Sequence, residues 1–173
     1  KVLDVAEEYG LKLWISAQVC LERPRWLIEH PALLMWELAD EPVWRNLDPS
    51  TYIETYKKIK AIDKDHMVWI NQAPQDSLLE LRKFNDACDV SGIDIYPYYP
   101  EEDQGHFVNR EISMIGDYME WMHSAVDYSK PVIMVLQGFY ILTNLGTIRP
   151  TYEELRFMVY DAIVHQCAGI VFF

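Results

Sequence analysis

The feature that most constrains this chain is a regular alternation of strand-like and helical segments. Six short segments have the length and residue types of strands, and helical patterns separate them. Strands that alternate with helices pair in parallel through right-handed crossovers, so the sequence predicts an α/β fold with one parallel sheet. The predicted strands cover residues 11–17, 32–39, 67–71, 91–96, 131–137 and 169–173.

Three Ser/Thr-x-x-Glu sequences mark predicted helix starts. They begin at Thr51, Ser77 and Thr151, and each precedes an apolar helical stripe. A long amphipathic helix is predicted over residues 111–128, and residues 140–149 are predicted to form a loop.

Two architectures fit this alternation: an open doubly wound sheet and a closed (β/α)8 barrel. No Gly-rich phosphate loop follows a predicted strand, which counts against a nucleotide-binding open sheet. Polar and aromatic residues follow the C-terminal ends of the strands, where a barrel builds its active site. A full barrel needs about 250 residues. We therefore expect residues 1–173 to form one domain, an incomplete TIM (β/α)8 barrel with six of eight units.

The charge balance excludes several classes of partner. Net charge is −12, from 27 acidic and 15 basic side chains, which opposes binding to nucleic acid or anionic lipid. No apolar run reaches the roughly 18 residues of a membrane span. Three cysteines lack CxxC spacing and five histidines lack metal-ligand spacing. We expect no disulfide framework, no metal and no cofactor.

The strongest local motif is Trp-Glu-Leu-Ala-Asp-Glu-Pro at residues 36–42. It resembles the Trp-Glu-Leu-Ala-Asn-Glu-Pro motif on the fourth strand of retaining (β/α)8 glycoside hydrolases, most closely the β-mannanase and cellulase group. The resemblance implies that Glu41 is the general acid/base. It also implies that Asp40 stands where the family has an Asn that binds the sugar 2-hydroxyl. The strands here would be the third to the eighth of the barrel, and two further units would precede Lys1.

The second catalytic position departs from the family pattern. Residues 131–139 resemble the seventh strand, which ends in a nucleophilic Glu in the family, but this sequence has Gln137. A neutral carboxamide is a very poor nucleophile. Three explanations of Gln137 are open. The protein is a natural variant that uses another carboxylate as its second catalytic group, a sugar-binding relative without turnover, or an engineered knockout of the nucleophile. The second departure, at Asp40, favours divergence over one designed change. We expect Glu41 and Gln137 to face each other about 5 Å apart.

Asp94 is the best replacement carboxylate, and Asp40 is the other candidate. Asp94 and Tyr96 lie on one side of the predicted sixth barrel strand by period-two alternation. Tyr96 matches the family residue whose polar tip touches the nucleophile. We favour a structural Asp94 that lies deeper and pairs with a basic group over a catalytic one.

Further side chains near the strand ends are expected to bind sugar, because amides suit hydroxyl groups and aromatic rings stack on pyranose faces. For Asn71, the start of a turn is an equally good explanation. The expected substrate-binding residues are Asn71, Tyr96, Tyr98, Trp44 and Phe173, with Tyr99 and Tyr140 nearby. Alternation along residues 37–41 predicts that Glu37, Ala39 and Glu41 share one face, with Glu37 a structural residue inside the barrel.

These patterns predict a glycoside hydrolase-like protein that acts on O-glycosidic bonds of a poly- or oligosaccharide. The alternative is a non-catalytic carbohydrate-binding barrel that has lost its nucleophile. Because glycan-degrading barrels are usually exported, we expect an extracellular or periplasmic location, which the scattered cysteines do not contradict.

Overall fold

The structure is a computed structural model of the chain, in which residues 1–22, 25–74, 77–98, 109, 111–143 and 146–173 are described. Its strands are β1 (Leu13–Ser16), β2 (Leu33–Asp40), β3 (Met67–Gln72), β4 (Val90–Ile95), β5 (Val132–Leu136), β6 (Ile141–Thr143), β7 (Gly146–Ile148) and β8 (Gly169–Phe172). Its helices are α1 (Val2–Glu8), α2 (Ala17–Glu22), α3 (Arg25–Ile28), α4 (Pro49–Ile62), α5 (Leu78–Arg82), α6 (Met114–Ala125) and α7 (Tyr152–Val164), and a 3-10 turn covers Asn85–Ala87.

Six strands form one parallel sheet in the order β1-β2-β3-β4-β5-β8. The sheet curls into a half-barrel with helices on its convex side, which confirms the predicted partial (β/α)8 barrel. Because all neighbours are parallel, the C-terminal ends of all six strands meet at one edge. Polar side chains that end different strands are thereby brought together, Asp40 being in register with Asn71.

Alternate residues of the strands pack on opposite sides of the sheet. Ile93, Ile95 and Leu136 are buried against the helix layer, where Met119 of α6 also lies. The concave side has its own apolar floor, made by Met35, Trp69, Val90 and Val135. This division explains why the strands are apolar on both faces. None of the described helices is long and apolar enough to cross a membrane.

The predicted start of α4 at Thr51 is wrong. The N-cap is Asp48, whose carboxylate accepts hydrogen bonds from the backbone N–H groups of Ser50, at 3.2 Å, and Thr51, at 3.3 Å. Pro49 follows at the first helical position, where its missing N–H costs nothing. The Asp-Pro pair therefore starts the helix before the Thr-x-x-Glu sequence is reached.

The predicted capping box at the start of α7 is confirmed. The Thr151 hydroxyl accepts from the Glu154 backbone N–H at 3.3 Å, and the Glu154 carboxylate accepts from the Thr151 N–H at 2.6 Å.

The stretch at 140–149, predicted to be a loop, instead contains the antiparallel pair β6–β7 among its described residues.

Candidate active site

A cavity of about 670 Å³ opens on the concave side, at the C-terminal ends of the strands. Its polar wall carries four carboxyl groups and an amide, and its apolar wall is mainly aromatic. The carboxyl groups belong to Glu37, Asp40, Glu41 and Asp94, the amide to Asn71, and the rings to Trp14, Trp69, Tyr96 and Phe173. The cavity therefore gathers residues from all six strands of the sheet or the segments that follow them.

An extra residue in β2 sets the direction of the side chains at the strand end. Glu37 pairs with Trp69 and Ala39 pairs with the next residue, Ile70, which leaves Leu38 without a counterpart on β3. Ala39 and Ile70 are buried together on the helix side. Ala39 also borders the cavity that Glu37 and Glu41 line, so the extra residue shifts the alternation of the strand without removing Ala39 from that side.

Glu41 directly follows β2 and has a left-handed backbone conformation, with φ of 47°. Such a conformation costs a non-glycine residue about 1–2 kcal/mol. The Glu41 N–H donates to the Asn71 carbonyl at 2.9 Å, which holds the turn against β3. The carboxyl lines the cavity, and its pKa is raised by burial and by the negative charge of Asp40. A raised pKa is what a carboxylic acid that donates a proton near neutral pH requires.

Asp94 is the most deeply buried of the four carboxyl groups, with 5% of the residue exposed. Its Oδ1 accepts from Asn71 Nδ2 at 3.1 Å, and its carboxyl also interacts with the Tyr96 hydroxyl and with the charge of Glu41. Burial, and secondly the charge of Glu41, raises the pKa of Asp94 to about 7. Glu41 and Asp94 are therefore neighbouring carboxyl groups of one cavity, and Asp94 keeps its proton up to about pH 7.

Asp40 differs from this pair because it faces a cation. Arg45 donates to the Asp40 carboxylate at 2.7 Å and lies 3.8 Å from that of Glu41. Both Asp40 and Arg45 have half-exposed side chains. Asn71 Nδ2 also donates to Asp40, at 3.2 Å, so one amide connects the carboxylates of Asp40 and Asp94.

Gln137 is fully buried directly after β5. Its carboxamide oxygen accepts from the Tyr98 backbone N–H at 3.0 Å, and its amide nitrogen has no hydrogen-bond partner among the described residues. Gln137 is not among the described residues that line the cavity. The expectation that Gln137 faces Glu41 across the barrel mouth, at the carboxyl spacing of retaining enzymes, stays a prediction.

The predicted sugar-binding residues divide into two groups. Trp44 is 61% exposed and is not part of the described cavity wall. Tyr98 also lies apart from it, since its hydroxyl donates to Glu154. Tyr99 is outside the described residues, and Tyr140 lines a separate cavity beside α7. The residues that do line the cavity are Asn71, Tyr96 and Phe173.

Sequence reasoning missed several residues of the site. The rings of Trp14 and Trp69 line the cavity with centroids 5.3 Å apart. Trp69 lies two residues before Asn71 on β3, so alternation was the pattern that could have identified it. Phe139 packs edge-on against Tyr96, with centroids 5.0 Å apart, and no sequence pattern predicted that contact.

No group of three His, Cys, Asp or Glu side chains in the described part of the chain is placed to hold a metal ion. The chemistry available to the site is that of carboxyl groups, an amide, phenol and indole groups, and one guanidinium at the rim.

The fold belongs to the class of (β/α)8 barrels found in glycoside hydrolases, of which this chain forms a curled half. It is similar to a β-glucuronidase from Bacteroides uniformis, with a TM-score of 0.67 at 13% identity. It is also similar to a family 2 β-galacturonidase from Eisenbergiella tayi, with a TM-score of 0.66 at 14% identity. A third similar structure is a glycoside hydrolase family 5 mannosidase from Rhizomucor miehei, with a TM-score of 0.60 at 16% identity.

The shared region is only part of these enzymes. The matches cover 99%, 99% and 84% of this chain, but 24%, 34% and 40% of the glucuronidase, galacturonidase and mannosidase chains. No protein-family model matches the sequence, and no curated protein does. At these identities the likeness shows the fold.

Proposed function

We propose that this protein hydrolyses O-glycosidic bonds of a poly- or oligosaccharide, with Glu41 as the general acid/base. The observation that carries the proposal is that the carboxyl groups of Glu41 and Asp94 lie side by side in a partly aromatic cavity at the C-terminal end of the sheet. The fold shared with glycoside hydrolases supports a carbohydrate substrate.

The pair suggests how the bond is broken. When a glycosidic oxygen reaches Glu41, the proton that Asp94 holds up to about pH 7 passes through Glu41 to the leaving oxygen, and the C–O bond breaks. Asp94 is then an anion that stabilises the positive charge developing at the anomeric carbon, and the attacking water returns a proton to Glu41 as it adds to that carbon. Asp40, held by Arg45 and Asn71, positions the sugar.

A second candidate function is carbohydrate binding without turnover. Gln137 favours it, because a buried neutral carboxamide occupies the place that the resemblance assigns to the nucleophile. In that case, Glu41, Asn71 and the aromatic wall would serve only to bind the sugar.

Hydrolysis of aryl glycosides and of soluble polysaccharides separates the two functions. We expect turnover that Glu41→Gln abolishes and that Glu54→Gln, at an exposed carboxyl on α4, leaves unchanged. Sugar binding without turnover in the unaltered protein would support the binding function instead.

Gln137→Glu tests the lapsed-nucleophile alternative in the same assay. A large rise in activity with retention of anomeric configuration would show that the family's nucleophile position still serves that role. No change, together with loss of the native activity in Asp94→Asn, would assign the second carboxyl to Asp94.

We further propose an extracellular or periplasmic location, because polysaccharide substrates are met there. Fractionation of the source cells, with detection of the protein by antibody, tests it.

A further inference from the structure

The turn after β2 holds a cation beside two carboxylates. The Arg45 N–H donates to the Glu41 carbonyl at 3.0 Å, and the Asn46 N–H donates to the Val43 carbonyl at 2.8 Å. Glu41 and Asn46, at the two ends of this turn, have left-handed backbones with φ of 47° and 51°. The turn therefore fixes the backbone from which the Arg45 side chain reaches back to the end of β2.

Arg45 contacts the two carboxylates unequally. One of its terminal nitrogens donates to Asp40 Oδ2 at 2.7 Å and lies 3.8 Å from Glu41 Oε2. The short contact is a charge-assisted hydrogen bond, whereas the longer one is electrostatic and too long for a hydrogen bond. Oδ1 of Asp40 accepts from Asn71 Nδ2 at 3.2 Å, so both oxygens of this carboxylate are engaged.

The charges of Asp40 and Arg45 act on Glu41 in opposite directions. Negative charge on Asp40 disfavours ionisation of Glu41, and positive charge on Arg45 favours it. Both act on the pKa of Glu41, which burial raises most. Among the described residues, Arg45 is the one cation in ion-pair contact with the Glu41 carboxylate. The net charge that Glu41 meets at this side therefore depends on both partners being present.

We propose that Asp40 and Arg45 act as one charge-compensated pair, with Arg45 as the positioning residue that sets the pH range over which Glu41 keeps its proton. With both charges present, the neighbour of Glu41 is nearly neutral, as the Asn that the resemblance places at residue 40 would be. Loss of either charge leaves the other uncompensated beside the acid. This inference rests on the proposed function and describes how its general acid is held protonated.

Other ionisable groups also face Glu41 from the strands around the cavity. They are Glu37 on β2, Asp94 on β4 and Tyr96 directly after β4. The rest of the described cavity wall, apart from Asp40 and Glu41 themselves, carries no ionisable side chain. These groups remain in every variant compared below, so differences between the variants report the effect of the Asp40–Arg45 pair.

The size of the effect follows from the distance and the exposure. The side chains of Asp40 and Arg45 are half-exposed, so solvent screens their charges. At the 3.8 Å between Arg45 and Glu41 and a dielectric close to that of water, one charge moves the pKa of its neighbour by about 0.5–1 pH unit. Salt should weaken the effect further, because the screening length falls to about 3 Å at 1 M ionic strength.

The test measures the pKa of the Glu41 carboxyl by NMR titration of its side-chain carboxyl carbon, assigned through the loss of this signal in Glu41→Gln. Arg45→Gln should raise this pKa by about 0.5–1 pH unit, and Asp40→Asn should lower it by about the same amount. The double variant should lie between the two single variants, and Arg45→Lys should stay closer to the unaltered protein than Arg45→Gln. In about 1 M NaCl the differences should shrink by about half or more.

Arg25→Gln is the matched control. Arg25 pairs with Glu29 at 2.9 Å, and neither residue is among the described residues of the cavity wall, so the Glu41 pKa should not move. In a protein that turns over, the alkaline limb of kcat/KM should follow the Glu41 pKa in each single variant. A purely structural role of Arg45 would lower stability without moving that pKa. If Asp40→Asn does not fold, Arg45→Gln and its salt dependence decide the question.

An unchanged Glu41 pKa in Arg45→Gln, or shifts in the same direction in both single variants, would overturn the inference. Hydrolysis that depends on Glu41 would in that case leave the proposed function intact. Opposite shifts in a protein without any turnover would contradict the hydrolase and leave the Asp40–Arg45 pair standing.

Discussion

The buried carboxyl of Asp94 makes a prediction about stability as well as function. Asp94 is 5% exposed, and burial together with the Glu41 charge raises its pKa to about 7. The ordinary value is 3.8, which we take for the unfolded chain. Between these two pH values the unfolded chain loses the Asp94 proton while the folded chain keeps it. The unfolded state then binds fewer protons, so the contribution of Asp94 to stability falls as pH rises from about 4 to about 7.

The size of the effect follows from that difference in pKa. Each pKa unit corresponds to about 1.4 kcal/mol, so the ionised group destabilises the fold by about 4 kcal/mol above pH 7. Asp94→Asn removes the charge and keeps an oxygen for the Asn71 amide. The altered hydrogen bonds around the side chain offset about 1–2 kcal/mol of the gain. We therefore expect Asp94→Asn to be more stable than the unaltered protein by about 2–3 kcal/mol at pH 8. At pH 4, where Asp94 is uncharged and only the altered hydrogen bonds count, we expect it to be less stable by about 1–2 kcal/mol.

Urea denaturation at pH 4, 6 and 8, followed by Trp fluorescence, measures this difference. The m value must stay constant for the comparison to hold. Asp65→Asn, at an exposed carboxyl after α4, is the control and should shift stability equally at each pH. A stability difference between Asp94→Asn and the unaltered protein that is the same at pH 4 and pH 8 would refute the reasoning.

Two further predictions concern packing and capping. Gly92→Ala should destabilise by about 1–3 kcal/mol and change the Trp fluorescence, because its Cβ would lie 2.7 Å from Cζ3 of the buried Trp69 ring. Gly169→Ala, with 3.5 Å to the nearest atom, is its control, and equal melting temperatures for the two variants would contradict the prediction. Thr151→Ala should cost about 1 kcal/mol because it removes the acceptor for the Glu154 N–H. Thr151→Ser should retain most of that stability in thermal melts, and a melt of Thr151→Ala unchanged from the parent would count against the cap.

The fold could be predicted from the sequence because the strands are buried on both faces. Near-continuous apolar runs such as Val132–Leu136 identify such strands whatever their neighbours are. The first residue of a helix was harder to predict where two N-cap patterns overlap. Asp48-Pro49 and the Thr-x-x-Glu sequence at Thr51 both begin helices, and choosing between them depends on the chain geometry that leads into α4. The six-residue helix α2 had no distinctive pattern and was not predicted.

The site could be predicted in position but not in arrangement. Glu41 was identified from its motif at a strand end and Asp94 from its alternation with Tyr96, yet the approach of the two carboxyl groups depends on how far the sheet curls. Arg45 was missed because its partner, Asp40, lies across a turn rather than at a helical spacing. The raised pKa of Asp94 likewise depends on neighbours from other strands, which no local pattern specifies.

The departures from ordinary local structure themselves indicate where function lies. Glu41 has a left-handed backbone, Leu38 is an extra residue in β2, and Asn71 has an unpartnered buried oxygen. Each costs free energy, about 1–3 kcal/mol for a strained residue or an unsatisfied buried group. All three lie at the C-terminal end of β2 and β3, beside the buried Asp94. A chain selected for stability alone would have a glycine at the left-handed turn and an apolar side chain in place of Asp94. Their concentration beside one cavity is therefore an argument for a functional site that holds without the likeness to glycoside hydrolases.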